Sequence, residues 1–288
     1  MNYMNPRKIC LLLFIGLFGA AGICGRAAAE KTAQIAYVEW SSAIAATHVV
    51  KAVLQEKMGY DVELTAVSDA AAMWRATADG DTDGFVCAWL PNLHARYQEN
   101  LKNDVINLGP NLEGTRMGLV VPAYVTVDTI AELDAHAERF NGRITGIDQG
   151  AGIMAVTEKA MDAYDIDNLE LKASSGVMMT VVLEDKIKNK KWVVVTGWTP
   201  HWKFHRFDLK YLKDPKKIYG GTEYIKTVVR KNLKTEKPEL YQFLDNFQWK
   251  TADIHAVMDY IRQSGNPHES AIQWVRDNPE KVKAWLPE

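Results

Sequence analysis

The sequence contains few cysteines. It has three in 288 residues, and two of them, Cys10 and Cys24, lie near the N-terminus. Cys87 is therefore the only cysteine in the remaining 264 residues, which cannot form an internal disulfide. Cys87 lies inside the apolar run 85–89, where burial raises the pKa of a thiol. We expect it to pack in a core rather than to act as a nucleophile.

An excess of charge of one sign is also missing. The formal net charge is -2, and acidic and basic residues alternate along the chain, which argues against nucleic acid as a partner. The chain has no G-x-S-x-G, no H-E-x-x-H and no phosphate-binding P-loop motif. This pattern favours a binding protein over an enzyme.

One long apolar run stands near the N-terminus. Residues 9–24 follow Arg7 and Lys8 and lead to three alanines before Glu30, which is the pattern of a cleavable secretory signal peptide. We predict a signal peptide at 1–29 and a periplasmic mature protein. The cleavage position and lipid attachment at Cys24 stay open. A retained anchor is less favoured because the run is shorter than a membrane span.

The rest of the chain predicts an α/β fold. Apolar runs and helical spacing alternate as strand, helix, strand, helix, strand over residues 34–89, with the second strand at 61–67. This alternation predicts a mainly parallel sheet with helices on its faces. Residues 117–125 predict a strand that crosses to a second α/β unit, which begins with a predicted helix at 129–140. A strand at 224–230 and helices at 238–247, 251–263 and 267–285 follow that unit. We therefore predict lobe I from residues 30–121 and 224–288, and lobe II from residues 122–223.

Two patterns resemble metal sites, and we predict no metal at either. Residues 79–84 read D-x-D-x-D-G, but the twelfth position of a calcium loop is Leu90 instead of glutamate. His201 and His205 have a spacing suited to zinc, but no third ligand accompanies them.

The segment 150–155 fits the dinucleotide pattern G-x-G-x-x-A, with Glu170 downstream. An exported protein is not normally supplied with a nicotinamide cofactor, so we predict no cofactor. The glycines still open a helix, whose free backbone N–H groups are suited to a carboxylate or phosphate.

Three tryptophans stand where predicted strands end. They are Trp40, Trp89 and Trp198. Ligands of parallel sheets bind beyond the carboxyl ends of strands, so these indoles are predicted to share one site. Indole faces attract cations, including quaternary ammonium groups that cannot donate a hydrogen bond. The alternatives are three unrelated core tryptophans and, for His94 five residues after Trp89, an ordinary surface histidine. Trp74 is expected to pack behind the site.

Four motifs, YVEWSSAIAATHVV, AWLPNLH, GIDQGAGIM and GWTPHW, resemble the glycine betaine-binding proteins of ABC importers, the OpuAC-like family. The resemblance covers residues 32–285. It implies a two-lobed periplasmic-binding-protein fold of type II that closes on its ligand like a Venus flytrap. It also implies an aromatic cage of Trp40, Trp89 and Trp198, with carboxylate contacts from His94, Gly152 and Ile153.

The resemblance predicts a monomeric, non-enzymatic receptor that delivers glycine betaine or a related quaternary-ammonium or sulfonium zwitterion to an importer permease. Proline betaine, carnitine, choline and dimethylsulfoniopropionate stay open as ligands, and an exported enzyme acting on a small quaternary-ammonium compound is the alternative. Family members often carry an acidic residue just after the first tryptophan, where this chain has Ser41 and Ser42. A direct charge partner for the cation is therefore not evident, and choline, whose hydroxyl would suit an acid, is disfavoured.

Overall fold

The computed structural model describes residues 31–221 and 223–287. The predicted signal peptide lies outside these residues. Within the described ranges, helices and strands alternate as expected for an α/β fold. None of the described helices is both long enough and apolar enough to cross a membrane.

The described residues form nine strands and eleven α-helices. The strands are β1 (Thr32–Val38), β2 (Asp61–Val67), β3 (Gly84–Leu90), β4 (Val105–Pro122), β5 (Arg143–Thr145), β6 (Glu170–Lys172), β7 (Val194–Thr199), β8 (Leu209–Tyr211) and β9 (Glu223–Arg230). The helices are α1 (Ser41–Met58), α2 (Ala70–Asp79), α3 (Ala95–Leu101), α4 (Gly152–Ala163), α5 (Gly176–Lys188), α6 (Lys203–Arg206), α7 (Leu233–Glu236), α8 (Pro238–Asn246), α9 (Thr251–Ser264), α10 (Pro267–Asp277) and α11 (Pro279–Lys283).

The strands are ordered β2-β1-β3-β9-β4-β7-β5-β6, with β8 paired to β4. The pairings of β1 with β2 and β3, and of β5 with β6 and β7, are parallel. Those of β9 with β3 and β4, and of β4 with β7 and β8, are antiparallel. The sheet is therefore mixed, because β4 and β9 run antiparallel to their neighbours.

Strand β4 connects two halves of this sheet. Residues 105–115 pair with β9, and residues 116–122 pair with β7 and β8. We call β2, β1, β3 and β9 the first half-sheet, and β7, β5, β6 and β8 the second. The predicted lobe boundary at residue 121 falls at the end of β4, and the division into lobes stays a prediction.

Three predicted elements differ from the structure. The strand expected at 117–125 begins twelve residues earlier, at Val105, because its first part pairs with the distant β9. The helix expected at 129–140 is two 3₁₀ segments, Ile130–Glu132 and Asp134–Phe140. The helix expected at 267–285 ends at Asp277, because Pro279 lacks the N–H that a continuous helix requires.

Strand β3 is buried along its whole length between β1 and β9, with α1 and α2 packed against it. Cys87 in its centre is buried, and its thiol donates to the Met73 sulfur at 3.3 Å. Burial raises the pKa of the Cys87 thiol to about 12. The expectation of a core cysteine is confirmed.

A buried carboxylate ties the elements of the first half-sheet together. Asp83, 3% exposed, pairs with the Arg230 guanidinium at 3.0 Å and with the Lys237 ammonium at 2.7 Å. It also accepts a hydrogen bond from the Gln34 backbone N–H at 3.0 Å. One side chain thereby joins β1, the entry to β3, the end of β9 and the segment before α8.

We expect Asp83→Asn to lower the free energy of unfolding by about 2 kcal/mol, because two partly buried cations lose their partner. The matched control is Asp81→Asn in the same turn, where the side chain is exposed, with an expected change within about 0.5 kcal/mol. Urea unfolding of the two variants checks this. Equal losses would contradict a structural role for the Asp83 cluster.

Candidate functional site

One cavity brings the predicted site residues together. Its lining residues are Trp40, Trp89, Leu93, His94, Met117, Ile147, Ala151, Gly152, Ile153 and Trp198. All six predicted site residues are among them. The three indoles are 4–7% exposed, so their faces are almost completely shielded from water.

Each indole is positioned by the element that carries it. Trp40 follows β1 and precedes the first turn of α1, and Trp89 lies near the end of β3. Trp198 lies in β7, where it faces Met117 of β4 in the strand register. The cavity therefore lies between the two half-sheets, with Trp40 and Trp89 on one side and Trp198 on the other.

The turn after β3 is held by a buried carboxylate. Glu223, at the start of β9, accepts hydrogen bonds from the backbone N–H groups of Asn92 and Leu93 and from the Asn92 amide, at 2.8 to 3.1 Å. Burial raises the pKa of Glu223, and these donors oppose that shift. The turn brings the His94 ring to the Trp89 backbone N–H.

The hydrogen bonds of His94 determine which ring nitrogen carries the proton. Nδ1 accepts from the Trp89 backbone N–H at 3.1 Å and from the Trp74 indole N–H at 3.3 Å, so the hydrogen resides on Nε2. Nε2 is buried without a partner among the described residues. Burial lowers the pKa of His94 to about 3. The cavity is thus lined by a neutral imidazole with a free N–H donor.

A second set of donors comes from the start of α4. Ala151 is the N-cap residue and supplies no side-chain cap, so the N–H groups of Gly152 and Ile153 have no acceptor within the helix. Both residues are buried and line the cavity. The positive end of the helix dipole adds to their attraction for an anion.

Asp148 was missed by the sequence analysis. Its Oδ2 accepts a hydrogen bond from the Trp40 indole N–H at 3.1 Å, which joins the two sides of the cavity. Its Oδ1 is buried without a partner among the described residues, and burial raises the pKa of this carboxyl. Asp148 is an acidic residue in contact with Trp40, where the neighbouring Ser41 and Ser42 provide none. Its position within GIDQGAGIM was the one available signal.

Other residues singled out in the sequence have structural contacts. Trp74, expected to pack behind the site, is fully buried and donates to His94. His201 accepts from the Lys203 backbone N–H, and His205 lies 2.8 Å from His255. No group of three metal-ligating side chains occurs in the part of the chain that the structure describes.

Comparisons with known proteins identify the family of the chain. Residues 31–277 match the family model described as the substrate binding domain of ABC-type glycine betaine transport system. The glycine betaine/carnitine transport binding protein GbuC of Listeria monocytogenes serotype 1/2a (strain 10403S) is 49% identical over 162 residues. That alignment covers 54% of this chain and 54% of GbuC, so it spans about half the length of that curated relative.

Two solved structures are similar over most of the chain. Lactococcal OpuAC, in its closed-liganded conformation complexed with glycine betaine, is 43% identical with a TM-score of 0.85, and the alignment covers 90% of this chain and all of that one. The glycine betaine/L-proline-binding protein ProX from Borrelia burgdorferi is 40% identical with a TM-score of 0.86, and the alignment covers 90% of this chain and 97% of that one. The type II periplasmic-binding-protein fold is thereby confirmed. The chain belongs to the family of substrate-binding domains of ABC-type glycine betaine transport systems.

Proposed function

We propose that this chain is an extracytoplasmic receptor that binds glycine betaine, or a closely related methylated zwitterion, and delivers it to an ABC importer. The observation that carries the proposal is the composition of the cavity that all six predicted site residues line. Three indoles lie together with a neutral imidazole donor and the free N–H groups of a helix start. Membership of a family of substrate-binding proteins, rather than enzymes, supports it.

The indoles suit the cationic end of the ligand. A trimethylammonium group has no N–H to donate and spreads its charge over methyl groups, so it is held by contact with electron-rich faces. Each face contributes about 0.5 to 2 kcal/mol, and more where water is excluded. Trp40, Trp89 and Trp198 would surround this group, and the Asp148 carboxylate behind Trp40 would add a favourable charge.

The donors suit the carboxylate end. His94 Nε2–H and the N–H groups of Gly152 and Ile153 have no protein acceptor in the described part of the chain. They would therefore be available to donate hydrogen bonds to a ligand carboxylate. Because His94 is neutral, it contributes a hydrogen bond without placing a full positive charge beside the trimethylammonium. A zwitterion of betaine size therefore meets complementary groups at both ends.

Ligand binding would favour closure of the two half-sheets. The proposed contacts are divided, with Trp40, Trp89 and His94 on one side and Trp198 and the start of α4 on the other. A ligand that touches both sides binds the closed arrangement better than an open one and shifts the population toward it. We propose that the importer permease recognises this closed monomer in the periplasm, after export by the predicted signal peptide.

The proposal is tested by calorimetry with glycine betaine and 3,3-dimethylbutanoate. The second compound has the same shape but replaces the ammonium nitrogen with carbon. We expect glycine betaine to bind about a hundredfold more tightly, because three indole faces each gain about 1 kcal/mol from the charge. Equal affinities would contradict a cation cage, and conversion of the ligand during the titration would indicate an enzyme.

We expect Trp198→Ala to weaken glycine betaine binding about thirtyfold, since one desolvated face is worth about 2 kcal/mol. Trp192→Ala is the matched control. Trp192 is also largely buried, but it packs on Phe140 and lies outside the cavity lining. A comparable loss of affinity in both variants would assign the effect to the fold rather than to the cage.

Glycines at the start of α4 allow close approach across the cavity. A Cβ at Gly150 would lie 2.8 Å from Asp69 Cβ, and one at Gly152 would lie 3.1 Å from the Leu93 carbonyl oxygen. The contact at Gly150 is shorter than a Cβ atom tolerates, and the contact at Gly152 would require Leu93 to shift by a few tenths of an ångström. These two positions therefore limit how far the half-sheets can close.

We expect Gly150→Ala to weaken glycine betaine binding about tenfold while leaving the free energy of unfolding within about 1 kcal/mol, because the added methyl group keeps the cleft from closing fully. Gly176→Ala at the start of α5 is the control, since a Cβ there meets nothing within 4 Å. Calorimetry and small-angle X-ray scattering with saturating ligand check this. Full ligand-induced compaction of Gly150→Ala would contradict it.

A further inference from the structure

Lys203 is a buried lysine directly behind the aromatic cage. Its side chain is 0% exposed, and its ammonium nitrogen has no hydrogen-bond partner among the described residues. The nitrogen lies 4.4 Å from the centre of the Trp198 ring. Lys203 does not line the cavity, whereas Trp198 does, so one indole separates this ammonium from the proposed ligand site.

The groups around Lys203 do not compensate its charge. Phe204 lies with its ring 5.5 Å from the ammonium, and the His201 imidazole packs against Trp198 with 4.8 Å between ring centres. No carboxylate pairs with Lys203 in the part of the chain that the structure describes. Burial lowers the pKa of Lys203 to about 7, so its charged form is populated under neutral and mildly acidic conditions.

A cation in the cavity would share Trp198 with this ammonium. Two positive charges on one indole repel each other, at a distance of about 9 Å when each lies within cation–π range of the ring. A ligand with a net positive charge experiences the whole of this repulsion. In a zwitterion, attraction between Lys203 and the ligand carboxylate offsets part of it.

We propose that Lys203 is a specificity-determining residue that disfavours net cations, such as choline, relative to zwitterions of the betaine class. This inference rests on the proposed function of the cavity. The Asp148 carboxylate attracts the trimethylammonium group of both ligand classes, so it strengthens both and discriminates little between them. The difference in affinity between net cations and zwitterions therefore depends on the Lys203 charge next to Trp198.

The titratable and charged groups near Lys203 come from several elements. His201 belongs to the same loop, and burial and Lys203 both lower its pKa. His255 of α9 lies beyond His201. Arg116 of β4 packs on Tyr211, which stacks on Phe204. Lys203 and His201 both contact the Trp198 ring, but the pKa of His201 is lowered well below its ordinary value. A pH effect on selectivity near pH 7 is therefore assigned to Lys203.

The experiment measures the affinities of choline and glycine betaine for the wild-type protein and for Lys203→Met, which keeps the length and packing of the side chain. We expect the variant to bind choline about tenfold more tightly and glycine betaine about threefold more tightly at pH 6. The betaine-to-choline preference therefore narrows about threefold. Lys203→Gln also removes the charge and keeps a polar end, so it should narrow the betaine-to-choline preference as well.

The wild-type protein provides a second measurement that needs no variant. Lys203 carries its charge below its pKa and loses it above, so the preference for betaine over choline should narrow between pH 6 and pH 8. In Lys203→Met this pH dependence should be absent. Betaine binding with an unchanged preference in both variants and at both pH values would overturn the role of Lys203 alone. Failure of the wild-type protein to bind either compound would overturn the proposed function as well.

Discussion

The proposed site depends on three indoles that are shielded from water. Such indoles would bind a methylated cation most strongly where water is excluded, but a site that was always closed would leave no route for a ligand. Placing Trp198 on one half-sheet and Trp40 and Trp89 on the other resolves this conflict. Each side would hold part of the proposed cage, and closure of the two sides would complete it.

Exclusion of water also determines the chemistry of the polar groups at the cavity. His94 is neutral because burial lowers its pKa. Two N–H groups donate to Nδ1, so the ring hydrogen resides on Nε2. The Trp74 indole and the Trp89 backbone therefore determine the tautomer that His94 presents to the cavity. In the same way, Glu223 acts on the site by holding the turn that carries His94.

The two charges behind the cage have opposite signs. Asp148 lies behind Trp40 and is joined to it by the indole N–H, while Lys203 lies behind Trp198 without a hydrogen bond. The Lys203 ammonium and the Asp148 Oδ1 atom are buried, where electrostatic effects are larger than on a surface. Under the proposed function, the affinity of the cavity for a cation would depend on both groups, although neither lines it.

The sequence by itself determined local structure and the chemical types at the site. Strand β2 was predicted with the bounds that the structure has, and the six predicted site residues all line one cavity, because strand ends and glycine-opened helices have local signals. Only the tertiary structure decided the long pairing of β4 with β9, the contact of Asp148 with Trp40 and the burial of Lys203. These features join residues far apart in the chain or depend on the surroundings of a side chain. Residue types and their spacing determine neither long-range contacts nor side-chain surroundings.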